Sequence, residues 1–227
     1  MEIFLKSLIF QDSNTLNILK LTFYHDKALT VLIAIRLLVA GGLILFRVNR
    51  YFSSEYLEHQ LLEFLWTVLP AIVLLAIAFP SIKALYYLDE IMKRVFSVKV
   101  VGHQWYWSYE YQFITKNASY DSYMKQTNDL EKGEFRTLDT DTNMILFNKV
   151  ITQVIVTSAD VIHSWTIPAL GIKIDATPGR IMQAACFPLY TGIFYGQCSE
   201  ICGVNHRFMP IKLEVLSNRE LTNFQNL

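Results

Sequence analysis

The chain has 227 residues, 52% of them hydrophobic, and a mean hydropathy of +0.28, which is high for a soluble protein. This length allows one large domain or a membrane anchor followed by one compact domain. The 20 basic residues balance the 20 acidic ones, so charge does not point to a nucleic-acid partner, and three cysteines are too few for a disulfide scaffold.

Two long apolar stretches dominate the first ninety residues, and no cleavable signal or transit peptide is evident before them. Residues 28–46 would form a helix about 28 Å long, which nearly matches the hydrocarbon core of a bilayer. Residues 64–88 contain Pro70 and Pro80, which a membrane helix tolerates. The alternative is two buried helices of a soluble bundle, but length and scarcity of charge favour membrane spans. We predict an N-terminal segment and transmembrane hairpin over residues 1–96.

One charge, Arg36, interrupts the first span. A charge in the middle of a bilayer is costly and should face protein or water, so we expect Arg36 to face a partner subunit rather than lipid. Basic residues flank both spans on both sides and leave the orientation open. An even number of spans places both termini on the same side of the membrane.

The pattern changes after about Ser97 to short β-branched and aromatic segments separated by turn residues. These segments are SVKVVG, QWYWSYEY, TQVIVTS and GIKIDA. Residues 97–227 are therefore predicted to form an antiparallel β-sandwich or barrel, with a helical pattern only in the last ten residues. The long polar stretch 116–135 is predicted to be a surface excursion. In QWYWSYEY, alternate aromatic residues would share one face of a strand: Trp105, Trp107, Tyr109 and Tyr111.

Metal-binding side chains cluster in the segment CSEICGVNHRFMPI. Cys198, Cys202, His206 and Met209 can converge from one loop. Thiolate and thioether select soft metals and imidazole suits copper, whereas zinc rarely uses methionine. A mononuclear blue-copper site needs only one cysteine, but two thiolates can bridge two copper ions. The alternative, a disulfide or two inert thiols, leaves His206 and Met209 unexplained.

A copper site of this kind needs a second histidine, and His163 in SADVIHSW is the best candidate. It follows a predicted strand, as the first copper ligand of a cupredoxin sandwich does. Without the downstream cluster, a hydrogen-bonded core histidine would be the better interpretation. The third cysteine, Cys186, lies in an apolar stretch and is predicted to be a small core residue.

Six motifs occur in the order of a known family: LWTVLPA, GHQWYWSYEY, YDSYM, DVIHSW, PGR and YGQCSEICGVNHRFMPI. With these motifs the chain resembles cytochrome c oxidase subunit II of the mitochondrial type over nearly its full length. The resemblance implies an all-β, cupredoxin-like Greek-key sandwich or barrel behind the hairpin, carrying a dinuclear CuA centre. The chain departs from the family pattern at Asp141-Thr142-Asn143 and at Phe147, as well as at Arg36.

The resemblance also implies the ligands of the two copper ions. They are the side chains of His163, Cys198, Cys202, His206 and Met209 and the backbone carbonyl of Glu200. Both thiolates would bridge; Met209 and His163 would bind one copper, and His206 and the Glu200 carbonyl the other. The Glu200 carboxylate would reach a magnesium ion shared with subunit I, which holds the haems.

The activity implied by the resemblance is electron transfer from cytochrome c through copper to haem a, for reduction of O2 to water coupled to proton pumping. Trp105 matches the residue that receives the electron, and Glu63 matches a position at the mouth of a proton path. Acidic residues match or lie near positions that dock the basic cytochrome c: Glu110, Asp121, Asp139 and Asp160.

Location and class follow from the same resemblance. We expect the mitochondrial inner membrane, with both termini and the copper domain in the intermembrane space, whereas a bacterial origin would place that domain outside the plasma membrane. A quinol oxidase subunit II would lack the copper ligands. The rival of a different class is a membrane-anchored copper-storage or copper-delivery protein.

Overall fold

The structure is a computed structural model that describes residues 10–51, 58–89, 95–112, 117–221 and 224. The chain divides into two compact units, one of Lys20–Leu88 and the other of Met1–Leu19 with Asp89–Leu227. We call them the hairpin unit and the β unit. The prediction of two N-terminal apolar helices followed by a β-sandwich is confirmed.

Two helices, α1 (Leu16–Val48) and α2 (Gln60–Asp89), are long and apolar enough to cross a membrane. Both extend beyond the predicted apolar spans. Most of α1 and α2 belong to the hairpin unit, where they contact each other. The Tyr24 hydroxyl lies 3.5 Å from the Ile77 carbonyl oxygen, and the Lys20 ammonium lies over the Tyr87 ring.

The first turn of α1 belongs to the β unit and explains why the helix begins twelve residues before the predicted span. Thr15 caps the helix by accepting the Ile18 N–H at 3.3 Å, and its hydroxyl donates to the Leu170 carbonyl at 2.7 Å. Ile18 is buried where an added Cβ on Gly171 would come within 2.9 Å of its side chain. Tertiary contacts therefore fix the start of α1.

Ten strands make up the β unit within the described ranges. They are β1 (Phe96–His103), β2 (Tyr106–Gln112), β3 (Asn117–Ser122), β4 (Met144–Phe147), β5 (Thr152–Ser158), β6 (His163–Ile167), β7 (Ile172–Ala176), β8 (Met182–Cys186), β9 (Gly192–Gln197) and β10 (Pro210–Leu216). The larger sheet has the order β3-β2-β1-β5-β8, a second has the order β4-β10-β9, and β6 pairs with β7. The β3 strand occupies the start of the polar stretch that the sequence predicts to be an excursion.

The strand pairing corrects the prediction of a wholly antiparallel domain. Strand β1 pairs in parallel with β5, and β10 in parallel with β4. These pairings are between strands distant in the sequence, so the local alternation of residues does not reveal their direction. Near the C-terminus, Ser217 and Glu220 form a capping box around a single 3₁₀ turn, Asn218–Glu220. The remainder of the predicted helical pattern lies largely outside the described residues.

The aromatic face of β2 forms part of the core. Trp107, Tyr109 and Tyr111 are each at most 1% exposed, as the alternation predicts. Trp105 is not on the strand, because the β1–β2 turn consists of Gln104 and Trp105. This turn brings Trp105 close to the metal-binding motif.

Candidate metal centre

The cysteine-rich segment forms a closed loop between two paired strands. The β9–β10 ladder begins where Gln197 pairs with Pro210. The next residue on each strand is a predicted ligand, Cys198 on one side and Met209 on the other. The antiparallel ladder thus brings together the two ends of the twelve-residue loop 198–209, which we call the metal loop.

Backbone contacts hold the metal loop in place. The Ser199 N–H donates to the Ser164 carbonyl on β6 at 3.0 Å, and the His206 N–H donates to the Gly203 carbonyl at 3.2 Å. Gly203 has φ +123°, and a Cβ there would lie 3.1 Å from the Trp105 ring. The loop therefore needs glycine at 203 for both its conformation and its approach to Trp105.

Four predicted ligands lie close together and buried beside the metal loop. The Cys198 and Cys202 sulfurs lie 4.0 Å apart, far beyond the 2.05 Å of a disulfide, and both cysteines are free. His163 Nδ1 lies 4.0 Å from the Cys198 sulfur, and the Met209 sulfur lies 3.5 Å from the Cys202 sulfur. All four residues are at most 7% exposed. The disulfide alternative is therefore wrong for this structure.

Two further predicted ligands lie next to the cysteines. His206 Nδ1 is 3.5 Å from the Cys202 sulfur, and the Glu200 carbonyl oxygen is 3.3 Å from the Cys198 sulfur. The ligand atoms of His163, Cys198 and Cys202 all lie within 4.8 Å of one another. Sulfurs 4.0 Å apart can both bind one ion at a metal–sulfur distance of about 2.3 Å. The donor set fits soft metal ions, and it combines two sulfurs, two imidazoles, a thioether and a carbonyl.

Asp160 determines which nitrogen of His163 is free. Its carboxylate lies 2.9 Å from His163 Nε2 and also accepts the backbone N–H groups of Gln104 and Val161, each at 2.6 Å. An ionised carboxylate can only accept a hydrogen bond, so Nε2 carries the hydrogen, and the Nδ1 lone pair is directed toward Cys198. This arrangement orients the imidazole before any metal binds.

The two thiols have very different proton affinities. Burial raises the pKa of Cys198, but its interactions with His163, with the backbone of Ser164 and Glu200 and with His206 outweigh burial and lower the pKa to about 7. Burial and the neighbouring Cys198 charge raise the pKa of Cys202 to about 12. Burial also opposes the charged form of His163, yet Cys198 and Asp160 raise its pKa above the ordinary value. The pair therefore holds one negative charge readily and a second only when cations are present.

The β1–β2 turn packs against the metal loop through the carbonyl of Cys202. The Gln104 side-chain amide donates to this oxygen at 2.7 Å, and the Trp105 indole N–H donates at 3.3 Å. On the next strand, the buried Trp107 indole N–H donates to the Met209 carbonyl at 3.3 Å. A half-buried tryptophan is thus joined to a cysteine ligand by a single hydrogen bond.

The four predicted docking carboxylates have different environments. Glu110 forms a surface ion pair with Lys99, and Asp121 is exposed and accepts the Ser108 hydroxyl at 2.8 Å. The side chain of Asp160 is partly exposed, and its carboxylate is paired with His163. Asp139 is only 1% exposed, so the prediction that it faces a partner surface is wrong.

Asp139 is buried because other residues of the β unit neutralise it. Its carboxylate forms an ion pair with Lys212 at 2.5 Å and accepts the Phe135 N–H and the Tyr195 hydroxyl. Burial opposes ionisation, but these partners hold its pKa below the ordinary value. The charge has a role in packing and not in docking.

The remaining predicted residues differ in their exposure. The Glu200 side chain is half-buried, and Glu63 is exposed in the first turn of α2. Cys186 is 1% exposed, and burial raises its pKa to about 12, as expected of a core thiol. Two residues that depart from the family pattern have partners in the fold. The Asn143 amide donates to Glu214, and Phe147 packs in the core.

Comparison with known proteins agrees with this geometry. Residues 96–216 match the family model described as "Cytochrome C oxidase subunit II, periplasmic domain", and residues 4–84 match its transmembrane domain. The chain belongs to the cytochrome c oxidase subunit II family. It is therefore a membrane-anchored subunit of cytochrome c oxidase, a haem-copper terminal oxidase, and the resemblance predicted from its motifs is confirmed.

The similarity extends over most of the chain. Cytochrome c oxidase subunit 2 of Drosophila lowei is 50% identical over 204 residues, which cover 90% of this chain and 89% of that protein. The periplasmic domain of subunit II of cytochrome oxidase of Bradyrhizobium japonicum is 39% identical, with a TM-score of 0.55, over 60% of this chain and 95% of that one. A mixed disulfide intermediate between a thioredoxin-like protein and a subunit II gives 37% identity and a TM-score of 0.50, over 61% of this chain and 93% of that one.

Sequence reasoning missed three contributors to the site. Gln104 clamps the Cys202 carbonyl, Asp160 orients His163, and Gly102 leaves room for the His163 ring, since a Cβ there would lie 2.9 Å from it. All three lie within the motifs GHQW and DVIHSW. Their spacing relative to His163 and Trp105 was the available signal, but the contacts depend on how the strands pair.

Proposed function

We propose that this subunit accepts electrons from reduced cytochrome c at a dinuclear CuA centre. It would pass them to haem a in subunit I, where O2 is reduced to water with coupled proton pumping. One observation carries the proposal: two buried sulfurs, a preoriented imidazole nitrogen and a thioether converge on one space.

The donor set described above would hold two copper ions. Cys198 and Cys202 would bridge, His163 and Met209 would complete one ion, and His206 with the Glu200 carbonyl the other. When bound, the copper pair supplies a one-electron acceptor whose added charge is shared between two metals. The domain boundaries that we propose are residues 1–96 for the anchor and 97–227 for the copper domain.

The protein's part in the reaction is to keep these ligands fixed while the charge changes. The Gln197–Pro210 pair closes the loop, Asp160 holds the His163 ring, and the Trp107 indole binds the Met209 carbonyl. Because these contacts hold the loop ends and two of the ligands, little rearrangement would be needed when an electron arrives. Burial also excludes water from His163, Cys198, Cys202 and Met209.

Trp105 is the proposed point of electron input. Its indole N–H donates to the Cys202 carbonyl, and the side chain is half-buried, so one edge is open to a partner. Glu110, Asp121 and Asp160 would present negative charge to the basic face of cytochrome c. Asp139 is excluded from this surface by its burial.

Two further roles belong to carboxylates outside the copper donors. We propose that the Glu200 side chain binds a magnesium ion shared with subunit I, since carboxylate oxygens are hard ligands and the residue is half-buried in the metal loop. Glu63, in the first turn of α2, would relay protons toward subunit I. The proposed location is the mitochondrial inner membrane, with both termini and the copper domain in the intermembrane space.

Burial of the sulfurs argues against a copper carrier. Carriers need exposed, exchangeable cysteine and methionine sites, whereas Cys198, Cys202 and Met209 are at most 7% exposed. Metal analysis and a visible absorption spectrum of the purified oxidase test the choice. Two copper ions for this subunit and a purple mixed-valence spectrum support the proposal; a colourless Cu(I) site would contradict it.

A further inference from the structure

We propose that Arg36 forms an ion pair, at mid-membrane depth, with a carboxylate on a membrane helix of a partner subunit of the oxidase. The inference concerns the hairpin unit alone and does not depend on the copper site. It rests on the depth of Arg36, on the lack of an anion for it within the described hairpin, and on the face of α1 that it occupies.

The depth of Arg36 separates it from the lipid headgroups. The nearest charged residues on α1 are Lys27 and Arg47, nine and eleven residues away. At 1.5 Å per residue these lie about 14 Å and 16 Å along the helix axis. Neither distance can be covered by an extended arginine side chain, so it cannot reach a phosphate by snorkelling from this position.

The hairpin itself supplies no anion at this depth. Residues 64–88 contain no acidic residue, and Asp26 on α1 is ten residues from Arg36. Within residues 10–51 and 58–89, Arg36 has no hydrogen bond or ion pair. Its surroundings along α1 are apolar and exposed, including Leu32, Ile33, Leu37 and Val39. A guanidinium in such surroundings needs an anion from another chain.

The face of α1 that carries Arg36 is turned away from α2. Ala28 and Val31 line the cleft between the two helices, which has a volume of about 520 Å³. At 100° per residue, Arg36 lies about 80° round the helix from Ala28 and about 140° from Val31. Ala40, one turn further on, shares the side of Arg36 and is small enough to let another helix approach closely.

The chemistry of the side chain identifies the partner group. A guanidinium stays charged and presents parallel N–H donors that match the two oxygens of a carboxylate. Asp or Glu on a facing helix would neutralise the charge and accept two hydrogen bonds. The partner is therefore an acidic side chain within the bilayer.

The test uses the assembled oxidase, purified through subunit I, with the amount of this subunit recovered per haem as the readout. Arg36→Met removes the charge and keeps an unbranched side chain. Arg36→Lys keeps the charge but removes the planar guanidinium and its parallel N–H donors. The matched control, Arg36→Leu with Leu37→Arg, moves the guanidinium 100° round the helix at nearly the same depth and keeps the composition; Leu37 is 67% exposed.

We expect recovery to fall several-fold for Arg36→Met and for the displaced arginine, and to fall less for Arg36→Lys. In addition, one Asp→Asn or Glu→Gln substitution in a partner membrane helix should lower recovery with Arg36 present and have no further effect with Arg36→Met. Wild-type recovery with the displaced arginine would overturn the proposal in favour of water or lipid phosphate as the partner. Wild-type recovery with Arg36→Met would show that no ion pair contributes.

Discussion

Two irregular segments of the β unit hold buried polar groups in opposite ways. The connection between β3 and β4, residues 123–143, buries Asp139 and supplies its cation and its hydrogen-bond donors from the β unit. The metal loop, residues 198–209, gathers sulfur and nitrogen atoms that are all electron-pair donors. The first segment is electrostatically complete, and the second is not.

The contrast gives a physical criterion for a metal centre. A buried carboxylate with a lysine, a tyrosine hydroxyl and a backbone N–H needs nothing further. Ionisation of both cysteines is opposed first by burial and then by repulsion from the charge of Cys198, and both effects raise the pKa of Cys202. Added cations would remove this repulsion. Convergent donors without a buried cation therefore distinguish a binding site from a structural ion pair.

The largest expected effect follows from removing a shared sulfur. Cys198→Ser or Cys202→Ser should abolish the proposed dinuclear centre and the oxidase activity with it, because in the proposed site each sulfur would bind both copper ions. Metal analysis of the purified oxidase checks the copper content. Cys186→Ala is the matched control: it removes a buried sulfur from β8, so the full copper content should remain.

A substitution in the β3–β4 connection, residues 123–143, should lower the stability of the chain without changing its copper content. Asp139→Asn leaves Lys212, whose side chain is only 11% exposed, without its anion and should cost about 3 kcal/mol of unfolding free energy at neutral pH. Denaturant unfolding of the full chain in detergent, followed by tryptophan fluorescence, measures this. Glu110→Gln breaks an exposed ion pair and should cost under about 1 kcal/mol.

The effect of Asp139→Asn on the free energy of unfolding should depend on pH. The pKa of Asp139 is lowered in the folded state, so its stabilising effect is present above the ordinary carboxyl pKa of about 3.9. It is lost as the pH falls through the lower, folded-state pKa. The difference between wild type and Asp139→Asn should therefore shrink in acid; a constant difference would show that the ion pair is not its source.

Replacing the thioether of Met209, the weakest of the proposed copper donors, should have a small effect on stability and a clear effect on turnover. Met209→Leu keeps the volume of a buried side chain and should cost under about 1.5 kcal/mol. Both coppers should still bind, the potential should rise because loss of the thioether donor would favour Cu(I), and turnover should fall. Redox titration and copper analysis test this. An unchanged potential would mean that Met209 is only a packing residue.

Replacing Trp105, the proposed point of electron input, should change the rate of electron transfer and not the copper content. Trp105→Phe removes the hydrogen bond to the Cys202 carbonyl, while Gln104 still binds that oxygen. Electron transfer from bound cytochrome c should slow far more than binding weakens, with the copper spectrum retained. Stopped-flow kinetics and a binding titration separate the two effects. A lost binding constant with a normal rate would make Trp105 a contact residue only.

Glu63→Gln is expected to have the smallest effect on the metal loop, because Glu63 lies in the hairpin unit. Proton uptake should slow without any change in the copper spectrum. Proton-uptake measurements across a range of pH test the relay. Unchanged turnover at every pH would reduce Glu63 to an interfacial charge.

Much of the fold and of the candidate metal centre could be predicted from the sequence, and the exceptions have one cause. The apolar spans, the aromatic face of β2 and the cysteine-rich loop depend on local patterns, and the structure contains all three. The burial of Asp139 depends on Lys212, and the start of α1 depends on contacts of Thr15 and Ile18 with residues far along the chain. Likewise Trp105 lies in a turn whose position is set by strand pairing. Local patterns do not contain these tertiary partners.

Electron paramagnetic resonance of the oxidised wild-type oxidase tests the central claim most directly. If both sulfurs of the metal loop bridge two copper ions, one unpaired electron is shared by both, and the hyperfine pattern should be that of two equivalent copper nuclei. A pattern from one copper nucleus, with one copper ion bound by this subunit, would contradict the account.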